Sequence, residues 1–441
     1  MTRHKAHEEH GGRSIAAMTI LALALVFTWG CLEDERADPI TPTPPDPPEA
    51  AEVAESIVER DLDVEVSTLE SDSLRDGNTA FALDLYRQLR SGEGGDENIF
   101  FSPHSMSIAL AMTYAGAEGE TEREMAEVMH YGLPEPDLHQ AFNALDLELA
   151  SRSVRLDMVN ATWGQVGWDF LPEYLDTLAL NYGASMYLLD FAAAPEASRT
   201  TINAWVAEHT EDRIEELLAE GMITPLTRLV LTNAIYFNAA WQIQFDEEDT
   251  SSASFFLDDG STVSVDMMSL TADLNFAQGP SWAAVELPYE GGELSMVAVL
   301  PTIDDGSFED SLDLEGLDAI LDSLSPTEGV EVRMPRFTFG DEIDLDQELQ
   351  AMGMVSAFDP LQADFSGMDG RPDLYISQAV HKAWIEVTEQ GTEASAATAV
   401  VMDWNSAPLG ITLDRPFFFL IRDIQTNCVL FIGRVADPTA Q

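Results

Sequence analysis

The sequence predicts an α+β fold, because segments with strand patterns and segments with helical patterns come in separate clusters along the chain. Residues 254–268 indicate a hairpin, in which an Asp-Gly pair separates two runs of alternating apolar residues. Two further apolar runs, 416–423 and 428–435, predict a final pair of strands. This order differs from the regular alternation of strands and helices that is typical of a parallel α/β sheet.

Between these segments, periodicity and end signals predict the other elements. Helical spacing begins at 81–90, and a short strand at 98–101 leads into a helix that starts with Pro103. The helix predicted at 170–183 is closed by Gly183. Further strands are expected at 153–165, 229–245, 282–301 (a hairpin) and 330–343 (a pair of strands), and further helices at 197–210 and 312–324.

Acidic residues dominate the composition. The chain has 79 Asp and Glu against 21 Lys and Arg, so its net charge is −58. A chain with this charge repels nucleic acid, anionic membranes and heparin-like polyanions, and we expect none of them as a partner. The charge suits salty surroundings, in which ions screen charges more than about 8–10 Å apart. With 441 residues, 45% of them hydrophobic, the chain can build a large core.

The first 31 residues have the pattern of an export signal. A basic start precedes an apolar run from Ser14 to Gly30, which is short for a membrane-spanning helix. Cys31 after Gly30 resembles the cleavage site of a bacterial lipoprotein, although Thr28 and Trp29 depart from the usual residues there. Lipidation of Cys31 and simple secretion both stay open. We therefore predict an exported protein that is extracellular or held at the cell envelope.

Residues 32–73 combine Pro and acidic residues with few aromatic ones. Such a composition buries too little apolar surface to fold, so we expect a disordered linker. The folded domain is then predicted at 74–441, and we expect it to be a monomer.

Residues 389–406 form the most unusual segment of the chain. From Thr392 to Val401 there is no Gly or Pro and only one charge, Glu393. With a strand's period of two, this charge falls on one face, and Gly391 in front of the segment permits a hinge. The Ala content would also allow a helix, against which the β-branched residues argue. The face opposite the charge consists of small or weakly polar residues: Thr392, Ala394, Ala396, Thr398 and Val400.

The segments HKAWIEV, GTEASAAT and LDRPFFFLIRD follow one another in an order that resembles the C-terminal signature of the serpins, and NIFFSP resembles the start of their second helix. The resemblance covers about residues 74–438. It implies the serpin fold, with a large, mostly antiparallel central sheet, further sheets, about eight to nine helices and an exposed reactive-centre loop. It also implies that the loop is bait for a protease and enters the central sheet as a new strand after cleavage.

The resemblance implies three sets of functional residues. The first set is the hinge of the loop, which comprises Glu389, Gly391, Thr392, Glu393, Ala394, Ala396, Ala397 and Thr398. The second is a polar set beneath the central sheet with an aromatic residue at its top, which comprises Ser102, Ser105, Asn203, His381 and Trp241. The third is the reactive bond between Asn405 and Ser406. In the family this bond lies at a nearly fixed number of residues from the hinge and from the next strand, and counts from Glu389 and from Pro416 both give this position. Cleavage one residue earlier would make Trp404 the specificity residue.

The bait segment indicates which proteases can be targets. Because no Lys or Arg lies between Trp384 and Asp414, a trypsin-like protease with a carboxylate in its pocket has nothing to bind there. Trp404 suits a chymotrypsin-like pocket, and Met402 or Val401 suits an elastase- or subtilisin-like one. We therefore expect a chymotrypsin- or subtilisin-like serine protease, while Asn405 leaves an Asn-directed cysteine protease as an alternative.

Motifs of the common enzyme classes are missing from the sequence, which contains no GxSxG, HExxH, GxxxxGK or GxGxxG. We expect no enzymatic activity, no cofactor and no metal. The resemblance implies an irreversible inhibitor that forms a covalent acyl-enzyme complex with its target protease. A non-inhibitory binding protein with the same fold is the alternative from a different functional class.

Overall fold

A computed structural model of the protein describes residues 46–92, 97–154, 156–303, 306–392 and 409–440. These residues belong to one compact unit, Pro39–Gln441. The helices in this part of the chain are α1 (Thr68–Ser91), α2 (Pro103–Tyr114), α3 (Gly119–Val128), α4 (Glu135–Ala150), α5 (Pro172–Tyr182), α6 (Pro195–His209), α7 (Ser307–Asp310), α8 (Leu314–Ser323), α9 (Leu345–Met352) and α10 (Ser366–Asp369).

Strands alternate with these helices in irregular clusters, as an α+β chain requires. They are β1 (Glu52–Ala54), β2 (Ile99–Phe101), β3 (Leu156–Gln165), β4 (Met186–Leu189), β5 (Leu229–Phe237), β6 (Ala239–Ala240), β7 (Ser251–Phe256), β8 (Thr262–Gln278), β9 (Trp282–Pro288), β10 (Leu294–Pro301), β11 (Ser325–Pro335), β12 (Phe337–Asp344), β13 (Ile376–Val387), β14 (Gly391–Thr392), β15 (Gly410–Thr412), β16 (Phe417–Asp423) and β17 (Val429–Val435).

Local sequence signals account for several helix ends. α1 begins at a capping box, in which the Ser67 hydroxyl accepts from the Glu70 N–H and the Glu70 carboxylate accepts from the Ser67 N–H. α5 ends at Gly183, whose left-handed conformation (φ 62°) confirms the predicted stop. α2 begins with Pro103, also as predicted, and each of its residues is buried, so it is the central helix of the core.

The first sheet has eight strands in the described residues, in the order β1-β4-β3-β5-β13-β14-β6, with β12 also paired to β13. Most neighbours are antiparallel, but β5 and β13 run parallel and pair directly, with His381 opposite Asn233. α6 packs on one face of this sheet, where Trp205 and Val206 join Trp163 of β3 in the core. α2 lies on the other face, in contact with β3 and β5.

The second sheet has nine strands in the described residues, in the order β15-β11-β8-β9-β10-β16-β17-β2, with β7 also paired to β8. Aromatic side chains join it to the first sheet. Phe100 of β2 stacks on Phe431 of β17 with ring centroids 5.2 Å apart, and its edge meets Phe339 of β12 in the first sheet at 6.5 Å. The predicted hairpins are confirmed as β7–β8 and β9–β10.

Three expectations need correction. The predicted disordered linker is wrong for residues 46–73, because β1 pairs with β4 and α1 begins at Thr68 rather than beyond residue 73. Segment 330–343 is not one pair of strands, because β11 and β12 belong to different sheets and only follow each other in the chain, with Arg336 between them. The expected eight to nine helices become ten in the described residues, since α7 and α10 are single turns of four residues.

A buried carboxylate holds the middle of the second sheet together. Glu286 of β9 is 3% exposed and accepts hydrogen bonds from Asn275 of β8 (2.7 Å), Ser295 of β10 (2.7 Å) and Arg422 of β16 (2.6 Å). Burial alone raises the pKa of Glu286, but Arg422 and the other donors outweigh this effect and leave the pKa below its ordinary value. The ionised carboxylate thus connects four adjacent strands.

Replacing Glu286 with Gln should destabilise the protein by about 3–5 kcal/mol, because the buried Arg422 then lacks a counter-charge. Glu328→Gln is the matched control, since Glu328 is exposed on β11 of the same sheet and should change stability by less than about 0.5 kcal/mol. Denaturant midpoints at pH 7 provide the measurement. Because the pKa of Glu286 is lowered, the deficit of the variant should shrink as the pH falls below 4.5; equal midpoints for both variants at pH 7 would contradict this role.

Candidate functional site

The predicted hinge begins inside the first sheet. Of its residues, the structure describes Glu389, Gly391 and Thr392. β14 lies between β13 and β6, with Thr392 opposite both Val387 and Ala239. Thr392 is fully buried, and its hydroxyl shares a 2.9 Å hydrogen bond with that of Tyr289. The first residues of the unusual segment therefore already form a short strand.

Gly391 occupies a position that only glycine can fill. Its φ is 151°, and a Cβ placed there would lie 2.3 Å from the Ala239 carbonyl oxygen and 2.6 Å from the Ala240 Cα. Both contacts are with backbone, which cannot move aside without disturbing β6. The predicted hinge glycine is thus needed for the close approach of β14 to β6 as well as for its conformation.

Glu389 anchors the chain just before β14. Its side chain is 2% exposed and accepts hydrogen bonds from the Thr250 hydroxyl and from Arg336, whose Nε lies 2.7 Å from each carboxylate oxygen. Burial raises the pKa of Glu389, but the donors outweigh it and lower the pKa overall. Because Arg336 joins β11 to β12, this ion pair ties the start of the hinge to the junction of the two sheets.

Trp241, predicted at the top of the sheet, holds the turn between β13 and β14. Its indole N–H donates to the Thr388 carbonyl (3.0 Å), and its backbone N–H donates to the Gln390 carbonyl (2.9 Å). Its ring stacks on Tyr289 with centroids 4.6 Å apart and planes 12° from parallel. Since Tyr289 also bonds to Thr392, the two aromatic residues support both sides of the turn.

A buried polar row crosses three strands of the first sheet at one level. Asn160 of β3 pairs in register with Asn233 of β5, which pairs in register with His381 of β13. The Asn233 amide donates to the Ser105 hydroxyl (2.6 Å), and this hydroxyl donates to the Asn160 carbonyl oxygen (2.9 Å). Ser102 caps α2 by accepting from the Ser105 N–H and donates to the Leu430 carbonyl of β17 at 2.7 Å.

His381 bridges the boundary between β5 and β13. It is fully buried, and burial lowers its pKa to about 3, so the ring is neutral at pH 7. Its Nδ1 bonds to the Asn233 side-chain oxygen, and its Nε2 accepts from the Ser102 N–H at 3.3 Å. This is the tautomer with the proton on Nδ1. Separating β5 from β13 would break the His381–Asn233 bond and leave buried polar groups unpaired.

Asn203 does not join this row, so its expected place there was wrong. It lies on α6, where its amide donates to the Leu218 carbonyl (2.9 Å) and its carbonyl oxygen accepts from the N–H groups of Leu217 and Leu218. Its side chain therefore holds the segment after α6 instead. The sequence reasoning overlooked Asn160 and Asn233, although an Asn in the middle of an apolar strand is itself a signal of a buried polar network.

The remaining predicted site residues lie outside the described residues. These are Cys31, Glu393, Ala394, Ala396, Ala397, Thr398, Trp404, Asn405 and Ser406. Nothing in the part of the chain that the structure covers groups His, Cys, Asp or Glu as a metal site would require. Among the helices of the described residues, none combines the length and the apolar character needed to cross a bilayer.

The arrangement around β14 is suited to accept one more strand. β5 and β13 run parallel, so a strand that entered between them antiparallel to one would be antiparallel to both. β14 already runs antiparallel to β13, and its other neighbour, β6, follows directly after β5. Continuation of β14 would therefore lead into the β5–β13 boundary and past His381 and Asn233.

Comparison with known proteins gives one consistent result. A family model described as "Serpin (serine protease inhibitor)" matches residues 76–438. An uncharacterized serpin-like protein of Methanosarcina acetivorans is 37% identical over 96% of this chain and 98% of its own. Leukocyte elastase inhibitor A of Rattus norvegicus is 40% identical over 83% of this chain and 100% of its own. The crystal structure of uncleaved ovalbumin covers 83% of this chain and 100% of that one, with a TM-score of 0.75 and 27% identity.

The polar row predicts energetic coupling that distinguishes Asn233 from Asn203. Ser105→Ala and Asn233→Ala remove two ends of one hydrogen bond, so their effects on the free energy of unfolding should be non-additive by about 0.5–3 kcal/mol. Ser105→Ala and Asn203→Ala share no hydrogen-bond partner and should add within about 0.5 kcal/mol. Urea midpoints of the single and double variants test this, and equal coupling in both cycles would refute a separate row.

Proposed function

Because this chain belongs to the serpin family, we propose that it is an irreversible inhibitor of extracellular endopeptidases that traps the acyl-enzyme by inserting its cleaved loop into the first sheet. The observation that carries the proposal is the direct parallel pairing of β5 and β13 with β14 already at the top of their boundary. The chain itself acts on no substrate as a catalyst, since the nucleophile belongs to the target protease.

The covalent step takes place at the bait residues. The serine hydroxyl of the protease attacks the carbonyl carbon of Asn405, and its proton passes through the protease's own base to the leaving amine. The peptide bond to Ser406 breaks, which frees the amino group of Ser406 and leaves Asn405 as an ester on the protease. Hydrolysis of this ester would complete ordinary proteolysis, so inhibition requires that the ester be protected from water.

Insertion of the loop provides this protection. Residues from about Thr392 to Asn405 enter between β5 and β13, pull the attached protease along and distort its active site. Thr392 shows what an inward position demands, since it is fully buried with its hydroxyl satisfied by Tyr289. Ala394 and Ala396 on the same face of the segment are small and apolar, whereas a charged side chain would cost several kcal/mol to desolvate.

The outcome is a race between insertion and hydrolysis. Each ~1.4 kcal/mol added to the insertion barrier slows insertion about tenfold and shifts the protein from inhibitor towards substrate. The His381–Asn233 bond and the β5–β13 ladder contribute to that barrier, because both must break before the new strand can pair.

The target is a chymotrypsin- or subtilisin-like serine protease, since the bait lacks Lys and Arg, and Met402 and Trp404 close to the proposed reactive bond are apolar. With cleavage after Asn405 the specificity pocket receives Asn405; with cleavage one residue earlier it receives Trp404, which suits a chymotrypsin-like pocket. The relative named leukocyte elastase inhibitor A supports a serine protease with an apolar pocket. An Asn-directed cysteine protease is the second candidate, because Asn405 stands at the proposed reactive bond. The apolar run before Cys31 supports export, either as a secreted monomer or with Cys31 lipidated at the cell envelope.

A non-inhibitory binding protein is the alternative function. Such a protein has no need of small residues at every inward position, so the uninterrupted pattern from Thr392 to Val400 favours the inhibitor. Mixing the protein with chymotrypsin and separating the products on a denaturing gel distinguishes the two. A covalent complex supports inhibition, and quantitative cleavage without a complex supports the alternative.

A charge at an inward position should turn the inhibitor into a substrate. Ala394→Arg should abolish the gel-stable complex with chymotrypsin and leave cleaved protein, because the guanidinium cannot be buried between β5 and β13. Ser395→Arg is the matched control: it puts the same side chain one position later, on the outward face, and should keep most of the trapping. The insertion mechanism is wrong if both variants trap chymotrypsin as well as the unchanged protein does.

The reactive bond is open to direct assignment. Because β15, β16 and β17 would hold the C-terminal fragment in the second sheet after cleavage, the trapped complex is denatured before mass spectrometry. The fragment should comprise residues 406–441; a fragment of 405–441 would make Trp404 the specificity residue instead. Asn405→Arg should then create an inhibitor of trypsin, which the unchanged protein does not trap, because the trypsin pocket carries a carboxylate. Retention of chymotrypsin trapping with no gain on trypsin would place the bond elsewhere.

A further inference from the structure

Residues 46–61, named here the N-terminal strap, run across one side of the folded unit although their composition is that of a linker. β1 within the strap pairs antiparallel with β4 over Glu52, Val53 and Ala54. This pairing makes β1, rather than β4, the outermost strand on that side of the first sheet. The family model begins at residue 76, so the strap lies outside the residues that this model matches.

The strap contacts helices on both faces of the sheet. At its start, the Asp46 carbonyl accepts a 2.6 Å hydrogen bond from the indole N–H of Trp205, which belongs to α6 on the outer face. In its middle, the Ser56 hydroxyl donates to the Asp176 carboxylate of α5. The Asp61 N–H donates to the Leu180 carbonyl at the end of α5 at 2.9 Å.

The firmest attachment of the strap is Arg60. Its guanidinium forms an ion pair with Asp146 of α4 at 2.6 Å and donates to the Asn143 carbonyl oxygen at 2.8 Å, and its side chain is only 7% exposed. The Asn143 amide in turn donates to the Asp61 carbonyl at 2.7 Å. Charge-assisted hydrogen bonds with this little solvent exposure are among the stronger non-covalent contacts in a protein.

These contacts connect parts of the molecule that must move relative to one another when the sheet opens. Parting β5 from β13 displaces the group β1-β4-β3-β5 as a unit, because its members pair with one another on that side of the boundary. The strap holds the outer strand of this group to α5 and α4, and α4 packs against α1 in the helical layer below. The group cannot shift over that layer without breaking strap contacts.

We propose that the N-terminal strap restrains the first sheet against opening between β5 and β13, and so sets how readily a loop strand is admitted. The biological meaning of this restraint rests on the proposed function. The restraint itself is a property of the folded chain that can be measured without any protease.

Amide hydrogen exchange of the full-length protein, followed by mass spectrometry, tests the restraint. Arg60→Ala and Ser56→Ala each remove one side-chain attachment of the strap, and each should raise the exchange rate of amides in β5 and β13 roughly tenfold. Arg152→Ala is the matched control: Arg152 is also 7% exposed and ion-paired, but it binds Asp423 at the end of β16. That variant should leave β5 and β13 unchanged.

A reversible cross-link tests the opposite direction. Glu52 and Leu188 lie opposite each other, and the Cα atoms of such antiparallel pairs are about 4.5–5.5 Å apart, within the range for a disulfide. With Cys31 replaced by Ser, the protein carrying Glu52→Cys and Leu188→Cys should exchange more slowly in β5 and β13 when oxidised than when reduced.

Two results would overturn the proposal. One is an increase in exchange confined to β1, β4 and α5 in the strap variants, with β5 and β13 unaffected and no difference between the oxidised and reduced forms. The other is an equal increase in β5 and β13 for Arg152→Ala, which would indicate general destabilisation. The exchange result is independent of chymotrypsin trapping, so loss of the inhibitor proposal and loss of the strap proposal can be told apart.

Discussion

The direct pairing of β5 with β13 is the interaction on which the rest of the structure depends. It closes the first sheet across its middle, and His381 and Asn233 place a buried hydrogen bond at its centre. If the two strands separated and nothing took the place of this bond, both side chains would be left buried without a hydrogen-bond partner, which is costly in free energy. Elements around this boundary either support it from below, as α2 does, or hold the chain in place at its top, as β14, Trp241 and Glu389 do.

Much of the fold could be predicted from the sequence because its signals are local. Gly183 and Pro103 mark helix ends through backbone conformation, and the Asp-Gly turn marks a hairpin. The prediction failed where a contact between distant segments decides the structure. Residues 46–66 contain too few apolar side chains to fold alone, yet β1 gains a partner strand from β4, and nothing in their own composition reveals this.

The candidate site shows the same contrast between residues that local sequence signals identify and residues that only contacts between distant segments identify. Gly391 and Thr392 could be assigned from their neighbours in the chain, and the structure explains both by their approach to Ala239. Asn203 could not be separated from Asn233 by sequence reasoning, since both stand in apolar surroundings and only the register of β3, β5 and β13 decides which one meets His381. Arg336 became visible only through its ion pair with Glu389, because residues 53 positions apart carry no local pattern.

The place of β14 between β13 and β6 has a consequence, under the proposed function, for how long the protein keeps its form. If the residues after Thr392 gain ladder partners by moving inward, as the proposed function requires, the folded chain rests in a local minimum, and its lifetime is governed by the height of a barrier instead of a difference in free energy. Storage temperature and time then affect the lifetime of this form as much as solvent conditions do, and a preparation can lose the form without unfolding. Under the proposed function, each copy of the protein reaches this form once, during folding, and acts a single time.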